Sequence, residues 1–485
     1  MISRLISTTG ILLSLALLTG CQGTSPLADS AAAYPQVQSL AALSKQSPVT
    51  RPLNIQSWRT AEGARVLFVA ATELPMFDLR LTFAAGSSQD GKQPGIAMLT
   101  NGMLNEGIAG MDTTAIATGF ENLGADFTNG AYRDMAVASL RTLSDPTKSG
   151  PALDLFARVV GQPTFPSAAF ERIRNQLLTS IDYKQQDPGA LAGDMLMKRL
   201  YGNHPYAHPS IGTADSLKTI TPAQLRTFHQ RAYTAGNAVI ALTGDLTRAQ
   251  AEAIAAQVSH ALPKGPALPQ VAQPSPPTGG ITHIEFPSEQ THLLLAEQGI
   301  ARRDPDYAAL YLGNQILGGG GFGTRLMTEI REKRGLTYGV YSGFTPMQVP
   351  GPFTITLQTR AEMSQNTLAL VQDIVRRYLA EGPTQKELDD AKREMTGSFP
   401  LSTASNSAIV AQLGMIGFYD LPLTFLDDFM KQIQDVTPEQ VRTALNKHLS
   451  ADRFVIVTAG PTVAQQPLPP AVERGATPLP SVPEH

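Results

Sequence analysis

The chain is poor in cysteine, in tryptophan and in charge of one sign. Of its 485 residues one is Cys (Cys21) and one is Trp. A lone thiol excludes an intrachain disulfide framework and any Cys-based zinc site. Lys and Arg number 38 against 41 Asp and Glu, a net charge of -3. The basic footprint that makes binding to nucleic acid favourable is therefore missing, and no nucleic-acid partner is expected. Beyond the first 20 residues no run is long and apolar enough to cross a membrane as a helix. Gly (41) and Pro (36) are plentiful and punctuate the chain into segments. So long a chain exceeds what one hydrophobic core usually serves, and more than one domain is expected.

Residues 1–20 read as a lipoprotein signal peptide, with Arg4 as the positive region and a short apolar stretch from Leu5 to Leu18. Leu18-Thr19-Gly20-Cys21 resembles the lipobox of bacterial lipoproteins, in which the cysteine becomes the acylated first residue after cleavage. That resemblance implies the bacterial cell envelope, and Gln22 after Cys21 implies the periplasmic face of the outer membrane. The only membrane contact expected is this lipid anchor. Residues 21–50 are rich in Ser, Ala, Pro and Gln and suit a flexible tether.

The rest of the chain is a duplication. Ile220-Thr221-Pro222-Ala223-Gln224-Leu225-Arg226-Thr227 matches Val436-Thr437-Pro438-Glu439-Gln440-Val441-Arg442-Thr443 at an offset of 437 − 221 = 216, and Gly244 falls over Gly460 in the same register. Each copy predicts a Thr-capped helix with Pro at its first position, followed by a β-branched strand. Upstream, Phe77–Phe83 and Thr291–Ala296 read as corresponding strands. Helices opening at Pro163-Thr164-Phe165-Pro166 and at Pro383-Thr384 correspond likewise. Domains are expected over 51–261 and 281–461, joined by a Pro-rich extended linker at 262–280 and followed by a disordered tail at 462–485.

Candidate chemistry is sparse. His204 and His208 stand four apart, but Pro205 and Pro209 forbid the helix that would bring them together, and a structural loop is the better reading. The other histidines are isolated. Gly318-Gly319-Gly320-Gly321-Phe322-Gly323 lacks the preceding strand and the Lys-Ser/Thr ending of a phosphate cradle, so its glycines suit a tight turn or a close backbone approach. No Ser sits in a Gly-x-Ser-x-Gly elbow.

The run Gly318 to Leu326, followed by Ile330-Arg331-Glu332-Lys333-Arg334-Gly335-Leu336-Thr337-Tyr338, resembles the C-terminal half of the insulinase/pitrilysin family, which includes mitochondrial processing peptidase. The likeness extends from about Arg51 to Pro461. It implies an α+β fold of two homologous mixed α/β-roll domains facing each other across a cavity. Active members carry His-x-x-Glu-His and a distant Glu: two imidazoles and a carboxylate hold zinc, and the motif's Glu is the base. Aligned on Gly95-Ile96-Ala97, these positions hold Met98, Asn101 and Gly102, and the distant Glu falls near Thr179 or Ser180. Neither ligands nor base remain, so no metal is expected in this chain. Glu106 and Glu121 are close in sequence but do not rebuild the site. Met98, Leu99, Met103 and Leu104 are expected to form a packed helix face.

The family's other half-site is an Arg and a Tyr from the C-terminal domain. By position these are Arg331 and Tyr338, seven apart (338 − 331 = 7). Such a pair can bind a substrate carbonyl and stabilise an oxyanion; the alternative is a helix-capping Arg and a core Tyr. The resemblance therefore implies a non-zinc subunit that supplies Arg and Tyr to a homologous partner carrying the zinc. Unfolded peptide would be the substrate, gripped as an added β-strand. Against it stands a non-proteolytic structural or peptide-binding protein of the same fold.

Overall fold

The computed structural model describes residues 53–472; Cys21, the tether and residues 473–485 lie outside the described residues. The strands are β1 (Gln56–Arg59), β2 (Arg65–Ala70), β3 (Met76–Phe83), β4 (Gly107–Ile108), β5 (Met111–Asp112), β6 (Asp126–Ala131), β7 (Ala136–Leu143) and β8 (Ala238–Gly244) in the first half. The second half has β9 (Gly280–Glu285), β10 (Gln290–Gln298), β11 (Val340–Phe344), β12 (Pro352–Arg360) and β13 (Val455–Gly460).

Two mixed sheets result, β1-β2-β8-β3-β7-β6 and β9-β13-β10-β12-β11. Without β1 the orders superpose strand for strand. The single parallel pair of each sheet, β2 with β8 and β9 with β13, also corresponds. The capped helices follow suit. In Pro222–Ala232 the Thr221 hydroxyl accepts from the Gln224 N–H while the Gln224 side chain accepts from the Thr221 N–H. Thr437 and Gln440 repeat the arrangement at Pro438–His448. Duplication and fold class are thus as expected from sequence.

The sequence did not reveal that the halves exchange helices. Pro188–Tyr201 belongs to the first half, yet its buried Ala192, Leu196 and Leu200 pack with Leu294, Val455 and Val457 of the second sheet. Its counterpart Asn406–Phe418 places Ile409, Val410, Leu413 and Ile416 against Leu67, Val69, Val239 and Ala241 of the first sheet. Gly417 permits that contact, because a Cβ there would come within 2.4 Å of Val239. Two halves joined only by a linker would expose both apolar sheet faces; reciprocal exchange buries them.

Residues 263–279 form no helix or strand and are pinned. Pro263 accepts from the Ala235 N–H, Leu268 N–H donates to Asn237, and Ser275 accepts from the Gln298 side chain. The tail differs from expectation over its first residues. Between 462 and 472 the Gln466 N–H donates to Glu362, Leu468 packs on the second core, and the Val472 N–H donates to the Lys333 carbonyl at 2.9 Å.

Candidate functional site

In the first half, the short helix Ile96–Gly102 follows the central strand β3 and carries the three degenerate positions. The Asp90 carboxylate caps its start, accepting from the Gly95 N–H at 2.7 Å and the Ala97 N–H at 2.9 Å. Burial pushes the Asp90 carboxyl up to about 7, outweighing the two donors that pull it down. Leu99, Met103 and Leu104 are fully buried, as expected of a packed face, while Met98 is only half-buried.

Asn101, at the position of the base, is a structural residue. Its buried amide donates to the Val137 carbonyl at 3.1 Å and to the Tyr233 hydroxyl at 3.2 Å. Its backbone carbonyl accepts from the Asn129 side-chain amide at 2.6 Å. A Cβ at Gly102 would meet within 4 Å only the Ile173 methyl, at 3.9 Å. That position therefore has room for a side chain, but a hydrocarbon faces it where a metal site needs a ligand. Thr179 and Ser180 lie exposed on the helix Ser167–Lys184, whose core-facing residues are Phe170, Ile173, Leu177 and Ile181. Glu106 is paired with Arg172, and Glu121 is exposed. A thioether, an amide that cannot take up a proton at neutral pH and a bare backbone do not fit zinc.

Among the described residues, His204 and His208 do not replace the lost ligands. The Nδ1 of His204 accepts from the Tyr206 N–H, which leaves its Nε2–H to donate to Ala272 at 2.8 Å. His208 has its Nδ1 3.9 Å from Asp90, and burial lowers its pKa. Sequence reading missed one other grouping, because its members are distant in the chain. Among the described residues Asp304, Asp306 and His448 come within metal-binding distance of one another. The Lys447 ammonium, 2.7 Å from Asp306, already supplies a cation there.

The second half presents a different surface. The helix Tyr307–Asn314 is continued by a π-helical stretch, Gln315–Gly319, and a second π-helical stretch, Met327–Glu332, follows the glycine loop. Such widened turns are frequent at functional sites. The second carries Arg331. Gly318 fits close to β11, since a Cβ there would lie 2.6 Å from the Ser342 hydroxyl. The Arg331 guanidinium lies 4.8 Å from the Phe322 ring centroid and 5.8 Å from that of Tyr338. Both rings are exposed, Phe322 by 73% and Tyr338 by 86%. Among the described residues the guanidinium makes no hydrogen bond or ion pair. Tyr338 is thus not a core residue, and the Arg and Tyr read from the sequence lie together.

Residues 65–214 match the sequence profile of "Insulinase (Peptidase family M16)", and residues 219–395 that of "Peptidase M16 inactive domain". An "uncharacterized zinc protease" of Mycobacterium leprae is 30% identical, over 66% of this chain and 72% of its own length. The chain belongs to peptidase family M16. A Helicobacter pylori protein named "non-peptidase homolog YmxG" is 28% identical over 79% of this chain and 89% of its own. The crystal structure of a peptidase M16 inactive domain from Pseudomonas fluorescens is 68% identical, with a TM-score of 0.84, covering 86% of this chain and all (100%) of that one. A Helicobacter pylori protease structure, 17% identical with a TM-score of 0.78, covers 85% of this chain and 100% of its own, and shares the fold. With Met98, Asn101 and Gly102 at these positions, this M16 chain lacks the side chains that would bind zinc and act as base there.

Proposed function

We propose that this chain is the non-zinc subunit of an envelope metallopeptidase, anchored through a lipid on Cys21. In this reading Arg331 and Tyr338 serve a homologous, zinc-bearing partner in hydrolysing unfolded peptides. One observation carries the proposal: Arg331 is held beside two exposed rings with every guanidinium donor unspent, whereas Asn101 is consumed by the core. Five fixed donors suit a substrate carbonyl or carboxylate, and the Tyr338 hydroxyl is free to steady a developing oxyanion. An extended peptide could add to the sheet edge at β6. At the corresponding edge of the second sheet, β11, the Ser342 carbonyl already accepts from Asn314 at 3.1 Å.

The name of the Helicobacter relative favours a second reading, a non-proteolytic peptide-binding or structural protein of the same fold. Purification from the native host with mass spectrometry of bound chains separates the two. The first reading expects a paralogue with His-x-x-Glu-His and hydrolysis of an unfolded peptide by the pair but by neither chain alone. Recovery without such a paralogue supports the second. For the anchor, Cys21→Ser should abolish palmitate labelling; labelling that persists would contradict it.

A further inference from the structure

We propose that Phe322 is a positioning residue for Arg331, and that the glycine run exists to hold its ring out. This rests on the function proposed above for Arg331 and adds a residue to it. The glycines fall into two kinds. At Gly318, Gly319 and Gly320 a Cβ would meet Ser342, Asn314 or Gln315 at 2.4 to 2.8 Å, so these three serve close packing. Gly321 and Gly323 have open space around them, and their need for glycine is conformational, with φ of 79° and 87°. They flank Phe322. A loop with left-handed residues on either side of a 73% exposed phenyl ring leaves a large apolar side chain in water without a core to bury it. The interaction that accounts for this expense is the one with the Arg331 guanidinium, 4.8 Å from the ring. Tyr338, at 5.8 Å, is the second ring. A flexible arginine side chain that must present a fork of donors in one orientation gains from being held by ring faces that take none of its N–H groups. Phe322 touches no reacting atom in this scheme and acts through Arg331.

Two measurements on the full chain and its complex test the proposal. In the isolated full-length chain, the Arg331 Nε–Hε NMR resonance, assigned by its loss in Arg331→Lys, should be displaced by the ring current of Phe322. It should move in Phe322→Ala and stay near the wild-type position in Phe322→Tyr. In the reconstituted pair, Phe322→Ala should lower kcat/KM for an unfolded peptide about 2- to 5-fold, the range of an exposed cation–π contact, with Phe322→Tyr restoring it. In an Arg331→Ala background Phe322→Ala should add nothing. A resonance indifferent to Phe322→Ala, or a full additional loss in the Arg331→Ala background, would overturn the proposal. A pair that hydrolyses nothing would count against the proposed function, while the resonance still decides whether Phe322 holds Arg331.

Discussion

The helix Ile96–Gly102 and the stretch Tyr307–Gly319 occupy corresponding places, each following the central strand of its sheet and packing near the edge strand. In the first half that place has been absorbed into the core: Asn101 ties the helix to Val137 and Tyr233, and Ile173 faces Gly102. In the second half the chain beyond it passes through the glycine loop into a second π-helical stretch, which carries an arginine with no hydrogen bond or ion pair among the described residues. One fold, duplicated, therefore gives Asn101 internal partners in the first half and leaves Arg331 only ring contacts in the second. Partnering is what distinguishes the two.

The largest expected effect lies in the second half. Arg331→Ala or Tyr338→Phe should leave the fold intact, since neither side chain has a core role, yet lower hydrolysis by the reconstituted pair on the order of 100- to 1,000-fold. Gel filtration of the complex beside a peptide-cleavage assay checks both parts. Next comes the exchange that holds the halves together. Leu413→Ala, in the helix laid across the first sheet, should cost about 2–5 kcal/mol in urea unfolding. Both halves should unfold in one transition; two separate transitions would show that the exchange does not couple them.

Asn101→Ala should cost less, roughly 1–3 kcal/mol for leaving the Tyr233 hydroxyl and the Val137 carbonyl without their donor. No loss of stability would mean that the first half's site was not absorbed into the core. A separate effect is a pH slope. Asp90 is pushed up to about 7 from an ordinary 3.8, so the folded chain holds a proton that the unfolded chain releases. Its contribution is fullest below about 4 and is lost as pH rises through about 7. Asp90→Asn should flatten the fall in urea stability between pH 5 and pH 7.5; an unchanged slope assigns it to other groups.

Local chemistry explains which features were legible in the sequence. Thr221 with Gln224, and Thr437 with Gln440, form their capping boxes within one turn, and the alternation of Phe77–Phe83 is a property of the strand alone. The resemblance placed Arg331 and Tyr338, whose seven-residue spacing is likewise local. The helix exchange was not legible, because Pro188–Tyr201 and Asn406–Phe418 are apolar enough to bury against either sheet and nothing in their own residues says which. The role of Asn101 depends on Tyr233, 132 residues away. The docked stretch 462–472 escaped notice because its Pro-rich composition suits an extended strap as well as a disordered tail, and its partners, among them Glu285, Lys333 and Glu362, lie more than 90 residues away.

The central claim is that the two half-sites reside in different chains. Zinc content measured by atomic absorption, on this chain alone and on the purified complex, tests it most directly, with peptide cleavage followed on the same samples. The account predicts no stoichiometric zinc and no cleavage for the isolated chain, and one zinc per complex with chelator-sensitive cleavage. About one tightly held zinc in the isolated chain, with chelator-sensitive cleavage of its own, would contradict it.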